Sequence, residues 1–167
     1  IYFTDRFGLT TIQAGYATAA CVFAGSLIRP LGGALADAIG GVKALTAVFI
    51  FAAFALVGVS MAENFATALA LFVLAMLALG TGNGSVFQLV PQRFSAEIGV
   101  MTGLVGMAGG VGGFYLASSL GLAKQFTGSF SGGFLIFAGL AVVALIGLML
   151  VKGKWRTTWA AAEGVRI

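Results

Sequence analysis

The chain has 167 residues, of which 60% are hydrophobic and 8% charged, with 26 glycines and a formal net charge of +4. A soluble domain carries roughly 25% charged residues, so this composition cannot cover a globule with polar surface and reads instead as an all-α integral membrane protein. With no histidine and only Cys21 as a thiol, histidine acid–base chemistry and a thiol metal cluster are excluded, and neither a metal nor a cofactor is expected.

A membrane-spanning helix needs about 20 largely apolar residues. Five segments qualify: residues 12–36, 44–61, 66–91, 100–122 and 132–151. None shows the period-two alternation of barrel strands, and helices satisfy their own backbone groups in lipid. The breaks are short and hold charge, Gly, Ser or Asn, as turns prefer, so consecutive helices should be antiparallel neighbours.

The first span carries a permanent cation, Arg29, in the run AGSLIRPLGGALAD. If Asp37 marks the end of that helix, eight residues of rise put Arg29 about 12 Å deeper. In a hydrocarbon core about 30 Å thick, that is near the midplane. Insertion of an arginine there costs roughly 2.5 to 3.5 kcal/mol, and intramembrane ionisable groups are functional candidates by default. Asp5, Asp37, Glu63, Glu97 and Glu163 fall in turns or tails, so Arg29 has no carboxylate at its depth. An unpaired guanidinium reached by water suits a flat anion, because it offers a planar fork of donors. A structural ion pair with another helix is the plainer alternative. The glycines that follow Asp37 read as a helix stop, and its carboxylate could accept N–H groups from the start of the next helix.

The third span reads LGTGNGSVFQLVP. Gly80, Asn83, Gly84, Phe87, Gln88 and Pro91 fall on one helical face, which carries small and amide groups and should look inward. Helix packing through small residues and amide hydrogen bonds competes there with a pore face formed by Asn83, Phe87 and Gln88. In the fourth span, Gly103, Gly106, Gly109, Gly110 and Gly113 fall within an arc of about 120°. With no preceding strand and no following Lys–Ser/Thr, this is not a nucleotide loop. Tight helix packing is one reading; a sliding surface, or backbone laid close to a small ligand, is the other.

Loop charge sets an orientation. Lys43, Arg93, Lys152, Lys154 and Arg156 fall on one side, and Arg6 and Lys124 on the other. The positive-inside rule assigns the first set to the cytoplasm, with residues 152–167 as a basic cytoplasmic tail. Positive charge at turns speaks to orientation in a cell membrane and not to nucleic acid. No nucleophile–base pair, metal cluster or phosphate loop is visible, so an enzyme is not expected.

Gly33–Gly41 resembles the signature loop of the major facilitator superfamily, with Ala38 where a basic residue usually follows the acid. GTGNGSVFQLVPQRF and GVMTGLVGMAGGVGGFYL resemble the nitrate/nitrite porter family within it, the second matching its glycine-rich nitrate signature. GSLIRPLGGALAD resembles the segment that bears that family's substrate arginine. The resemblance implies twelve helices in two halves, alternating access, and a chain corresponding to spans eight to twelve. Span seven and an N-terminal half would lie outside it. It further implies nitrate or nitrite bound by Arg29, with Gly103 and Gly106 lining the site; Gly109 and Gly110, on the same glycine face, are pore-lining candidates from the helical pattern alone. Asp37 would act in the conformational loop. A carrier for another small or organic anion, and a non-transporting sensor on the same fold, are the alternatives.

Overall fold

The computed structural model describes the backbone of residues 1–159 and the side chains of residues 1–154. Seven helices follow in chain order among the described residues: α1 (Tyr2–Phe7), α2 (Thr11–Leu27), α3 (Arg29–Ile39), α4 (Gly41–Met61), α5 (Phe65–Arg93), α6 (Ile98–Thr127) and α7 (Ser131–Trp159). No strand occurs among them. Taken together, α2 and α3 form one apolar segment, Thr11–Ile39; with α4, α5, α6 and Ser131–Lys154 it makes five helices long and apolar enough to cross a membrane. Of the tail expected over 152–167, residues to 159 continue α7 and the remainder lies outside the described residues.

The first span differs from the single helix over 12–36 in two ways. It breaks at Ile28, and it runs on to Ile39. The break has a covalent cause. Pro30 lacks an N–H, and its ring crowds the carbonyl four residues back, that of Ser26. Ile28 N–H still reaches the Ala24 carbonyl at 3.3 Å, and helical bonding resumes with Gly32 N–H to the Ile28 carbonyl at 2.9 Å. The far end stops at Gly40, whose φ of 96° suits only glycine. Asp37 therefore stands in the last turn of a helix and not in a loop. Lys124 is likewise helical, since α6 runs to Thr127 before Gly128 turns left-handed at φ 71°. Asn64 starts α5 by accepting Thr67 N–H at 2.8 Å, and Thr10 with Gln13 forms a reciprocal cap on α2.

The packed body is α4 against α5 and α7, with α2 and α3 laid along α5. At one end, Val42, Leu45, Leu89 and Leu148 form a cluster from α4, α5 and α7. At the other, Val59 packs with Phe130 and Phe134. Tyr2 joins that end: its ring meets Phe3, Phe7, Phe72, Phe130 and Phe134 edge-on at 5.2 to 5.8 Å between centroids. Edge-to-face pairs contribute about 0.5–1.5 kcal/mol each beyond area burial, enough to hold the six-residue α1 in place. Burial raises the Tyr2 phenol above its ordinary value, against a smaller lowering by Arg6. An exposed ion pair, Asp5 with Lys124, ties α1 to the end of α6 at this same end. The two ends thus sort the charged residues as the loop pattern does: Arg6 and Lys124 at one, Lys43 and Arg93 at the other.

Candidate functional site: an arginine groove between α3 and α5

Backbone proximity builds the site. A Cβ on Gly80 would stand 2.1 Å from the Gly25 carbonyl oxygen, and one on Gly84 would stand 2.1 Å from the Arg29 carbonyl oxygen. Gly32 returns the fit, since its Cβ would fall 2.6 Å from the Thr81 Cα. Only glycine permits such an approach, and the result is helix-on-helix contact at van der Waals distance. Ser85 is fully buried between the two helices, and its one hydroxyl proton is shared between the carbonyls of Thr81 at 2.9 Å and Gly32 at 3.3 Å. The packing reading and the pore-face reading of the third span therefore divide the residues between them. Gly80, Gly84 and Ser85 pack, whereas Asn83, Phe87 and Gln88 stand beside them on a groove wall.

That groove has a volume of about 720 Å³. Its α3 wall is Arg29, Pro30, Gly33, Ala34 and Asp37; its α5 wall is Asn83, Gly84, Phe87 and Gln88. Arg29, Gly33 and Asp37 recur every four residues, which puts them on one face of α3. The structure thus brings together five sequence candidates: Arg29, Asp37, Asn83, Phe87 and Gln88.

Arg29 is the first residue of α3. Its side chain is exposed in the groove and takes part in no hydrogen bond or ion pair among the described residues. Ile28 alone separates α2 from α3 and keeps a right-handed helical backbone, so the charge at this spot is that of the guanidinium itself. Asp37, about 12 Å along the axis by helix rise, does not pair with Arg29. Nor is it held by the start of α4, as the sequence allowed: it accepts Gln88 Nε2–H at 2.6 Å.

The glycines of α6 stand apart. No residue of α6 is buried, and a Cβ on Gly103, Gly106, Gly109, Gly110 or Gly113 would meet nothing within 4 Å. The helix packs on α7 and α5, but this glycine face is open among the described residues. Tight packing of that face inside this chain is not what the structure has, and Gly103 and Gly106 are not on the Arg29 groove. The sequence reading missed the helix break and the buried Ser85. The Arg29–Pro30 dipeptide was the signal for the first, and Gly84–Ser85 beside a glycine face the signal for the second.

The chain is 34% identical over 160 residues to the probable nitrate transporter NarT of Staphylococcus carnosus, covering 93% of this chain and 40% of that protein. It is 36% identical over 149 residues to the nitrite extrusion protein of Bacillus subtilis, covering 87% of this chain and 37% of that protein. To the probable nitrate transporter NarT of Staphylococcus aureus it is 31% identical over 166 residues, 97% of this chain and 41% of that protein. The chain spans about 40% of the length of these curated relatives. No family profile and no solved structure matches it. The likenesses agree with the nitrate/nitrite porter resemblance carried by the Gly80–Phe94 and Gly99–Leu116 motifs.

Proposed function

We infer that this chain is the C-terminal part of a nitrate/nitrite porter, the half-domain without its first helix, and that the whole porter carries nitrate or nitrite across a cell membrane. The single observation behind the reading is the unpaired Arg29 at the α2–α3 break, facing an amide and an aromatic ring on α5. Relatives named for nitrate and nitrite transport support the substrate class.

In this reading the anion lies against the Arg29 guanidinium, which supplies a full charge and two parallel N–H donors to a planar oxyanion. The Asn83 amide offers a further polar contact and Phe87 flanks the anion with an apolar face, while Gln88 stands on the same wall with its NH₂ group held by Asp37. Gly103 and Gly106 of α6, which stand off the groove in this chain, present with Gly109 and Gly110 a bare face against which an N-terminal half can pack as it completes the cavity. The two halves rock about the anion, opening one side at a time. The C-terminus is cytoplasmic, on the strength of loop charge. No enzymatic step belongs to this function.

The test is nitrate uptake by the transporter that contains this chain, reconstituted in proteoliposomes. Arg29→Ala removes the charge and the fork, and uptake is lost. Arg29→Lys keeps the charge and loses the fork, and half-saturation rises by roughly tenfold or more, since charge-assisted hydrogen bonds contribute about 1.5–3 kcal/mol each. Uptake unchanged by Arg29→Ala defeats the reading.

A further inference from the structure

Asp37 stands in the last turn of α3, followed by Ala38. Its hydrogen bond comes across the helix pair, from Gln88 Nε2 to Asp37 Oδ1 at 2.6 Å. A carboxylate only accepts hydrogen bonds, so the NH₂ end of the amide must face it, and the orientation of Gln88 is fixed by chemistry. The other end of the amide, Oε1, is buried and has no partner among the described residues. Gln88 therefore satisfies one end of its amide and strands the other. A buried orphan acceptor calls for an explanation, and a second conformation that supplies it a donor is one. Gln88 also follows Phe87 on the α5 wall of the Arg29 groove, one turn below Gly84, where α5 touches the first turn of α3.

We propose that Gln88 is a positioning residue that couples the anion groove to the inner end of α3, holding Asp37 in one state of the transporter and releasing it in the other. The proposal rests on the reading of the groove as an anion site. A parting of α5 from α3 by about 1 Å along this bond takes it beyond hydrogen-bonding range, so a small movement at Phe87 is converted into release at Asp37. A contact made in one state and lost in the other biases the equilibrium between them without touching the anion.

The experiment compares Gln88→Leu, Gln88→Glu, Asp37→Ala and the Gln88→Leu/Asp37→Ala double variant in the reconstituted transporter. Gln88→Glu preserves size and sets two carboxylates against each other, so it breaks the pair without truncating the side chain. Each single variant should lower the maximal nitrate rate by roughly tenfold or more, the worth of one charge-assisted hydrogen bond, with half-saturation within about twofold of the parent. The double variant should be no slower than the slower single. A substrate-free readout accompanies it: Ala34→Cys on a Cys21→Ser background, labelled by an impermeant thiol reagent from the inner side. Its labelling rate should change by about threefold or more in each single variant and no further in the double. Unchanged maximal rate in both Gln88 variants, a rise in half-saturation like that of Arg29→Lys, or multiplying effects in the double overturns the proposal. If the parent carries neither nitrate nor nitrite, the anion reading fails by itself, and the labelling rates alone then decide the coupling.

Discussion

Gly84→Ala adds a single methyl group where α5 meets the start of α3. Its Cβ would stand 2.1 Å from the Arg29 carbonyl oxygen, 2.8 Å from Gly33 N and 3.1 Å from the Arg29 carbonyl carbon. All three are backbone atoms of the first turn of α3, so no side chain can swing away. Ordinary contact begins near 3.4 Å, and 3.4 − 2.1 requires the helices to part by 1.3 Å along that line. Two effects oppose each other. Alanine is the better helix former, by about 1 kcal/mol in a helix interior. Overpacking costs about 1–3 kcal/mol where repacking is possible, and more where backbone must move. Here the clash wins, because opening the pair also stretches the Ser85 hydroxyl from the Gly32 carbonyl, already at 3.3 Å. The expected net loss is about 1–2 kcal/mol, or a fall of roughly 2–8 °C in midpoint for a domain of this size. The assay is thermal unfolding of the purified transporter in detergent, with Gly147→Ala as reference, since a Cβ there meets nothing within 4 Å. A Gly84→Ala protein as stable as the Gly147→Ala protein would refute the close-approach argument.

Other substitutions probe the break and the caps. Pro30→Ala restores a donor for the Ser26 carbonyl and should raise thermal stability, while re-aiming the first turn of α3 and weakening nitrate affinity in the uptake assay. A rise in both, or a fall in both, contradicts the account of the break. Asn64→Ala removes the cap on Thr67 N–H and should cost about 1 kcal/mol, read as a lower unfolding midpoint with unchanged half-saturation for nitrate. Among the described residues, the five spans hold no acid deeper than Asp37. In pH-clamped proteoliposomes of the whole transporter, uptake that requires internal nitrite identifies exchange, and internal alkalinisation or acidification that tracks uptake identifies proton coupling.

The amino-acid sequence by itself determined the class of molecule and its spans, because lipid leaves a long apolar segment one satisfactory backbone, the helix. It also singled out Arg29, since a charge inside such a segment stands out against its neighbours whatever the fold. Asn83, Phe87 and Gln88 were visible as a group because the helical period puts them on one face. Sequence could not decide which helix that face meets. The fit of Gly80 and Gly84 onto the backbone of Gly25 and Arg29, and of Gly32 onto Thr81, is a property of two surfaces, and a glycine in sequence looks the same whether packed or bare. The glycines of α6 make the same point in reverse: their pattern is the more regular of the two, yet within this chain nothing approaches them. Asp37 and Gln88 are 51 residues apart in sequence and 2.6 Å apart in space, because close packing of α3 on α5 sets their distance. Hydrophobic pattern and charge are local and written in the chain; contact between helices depends on complementary shape, which only the tertiary structure decided.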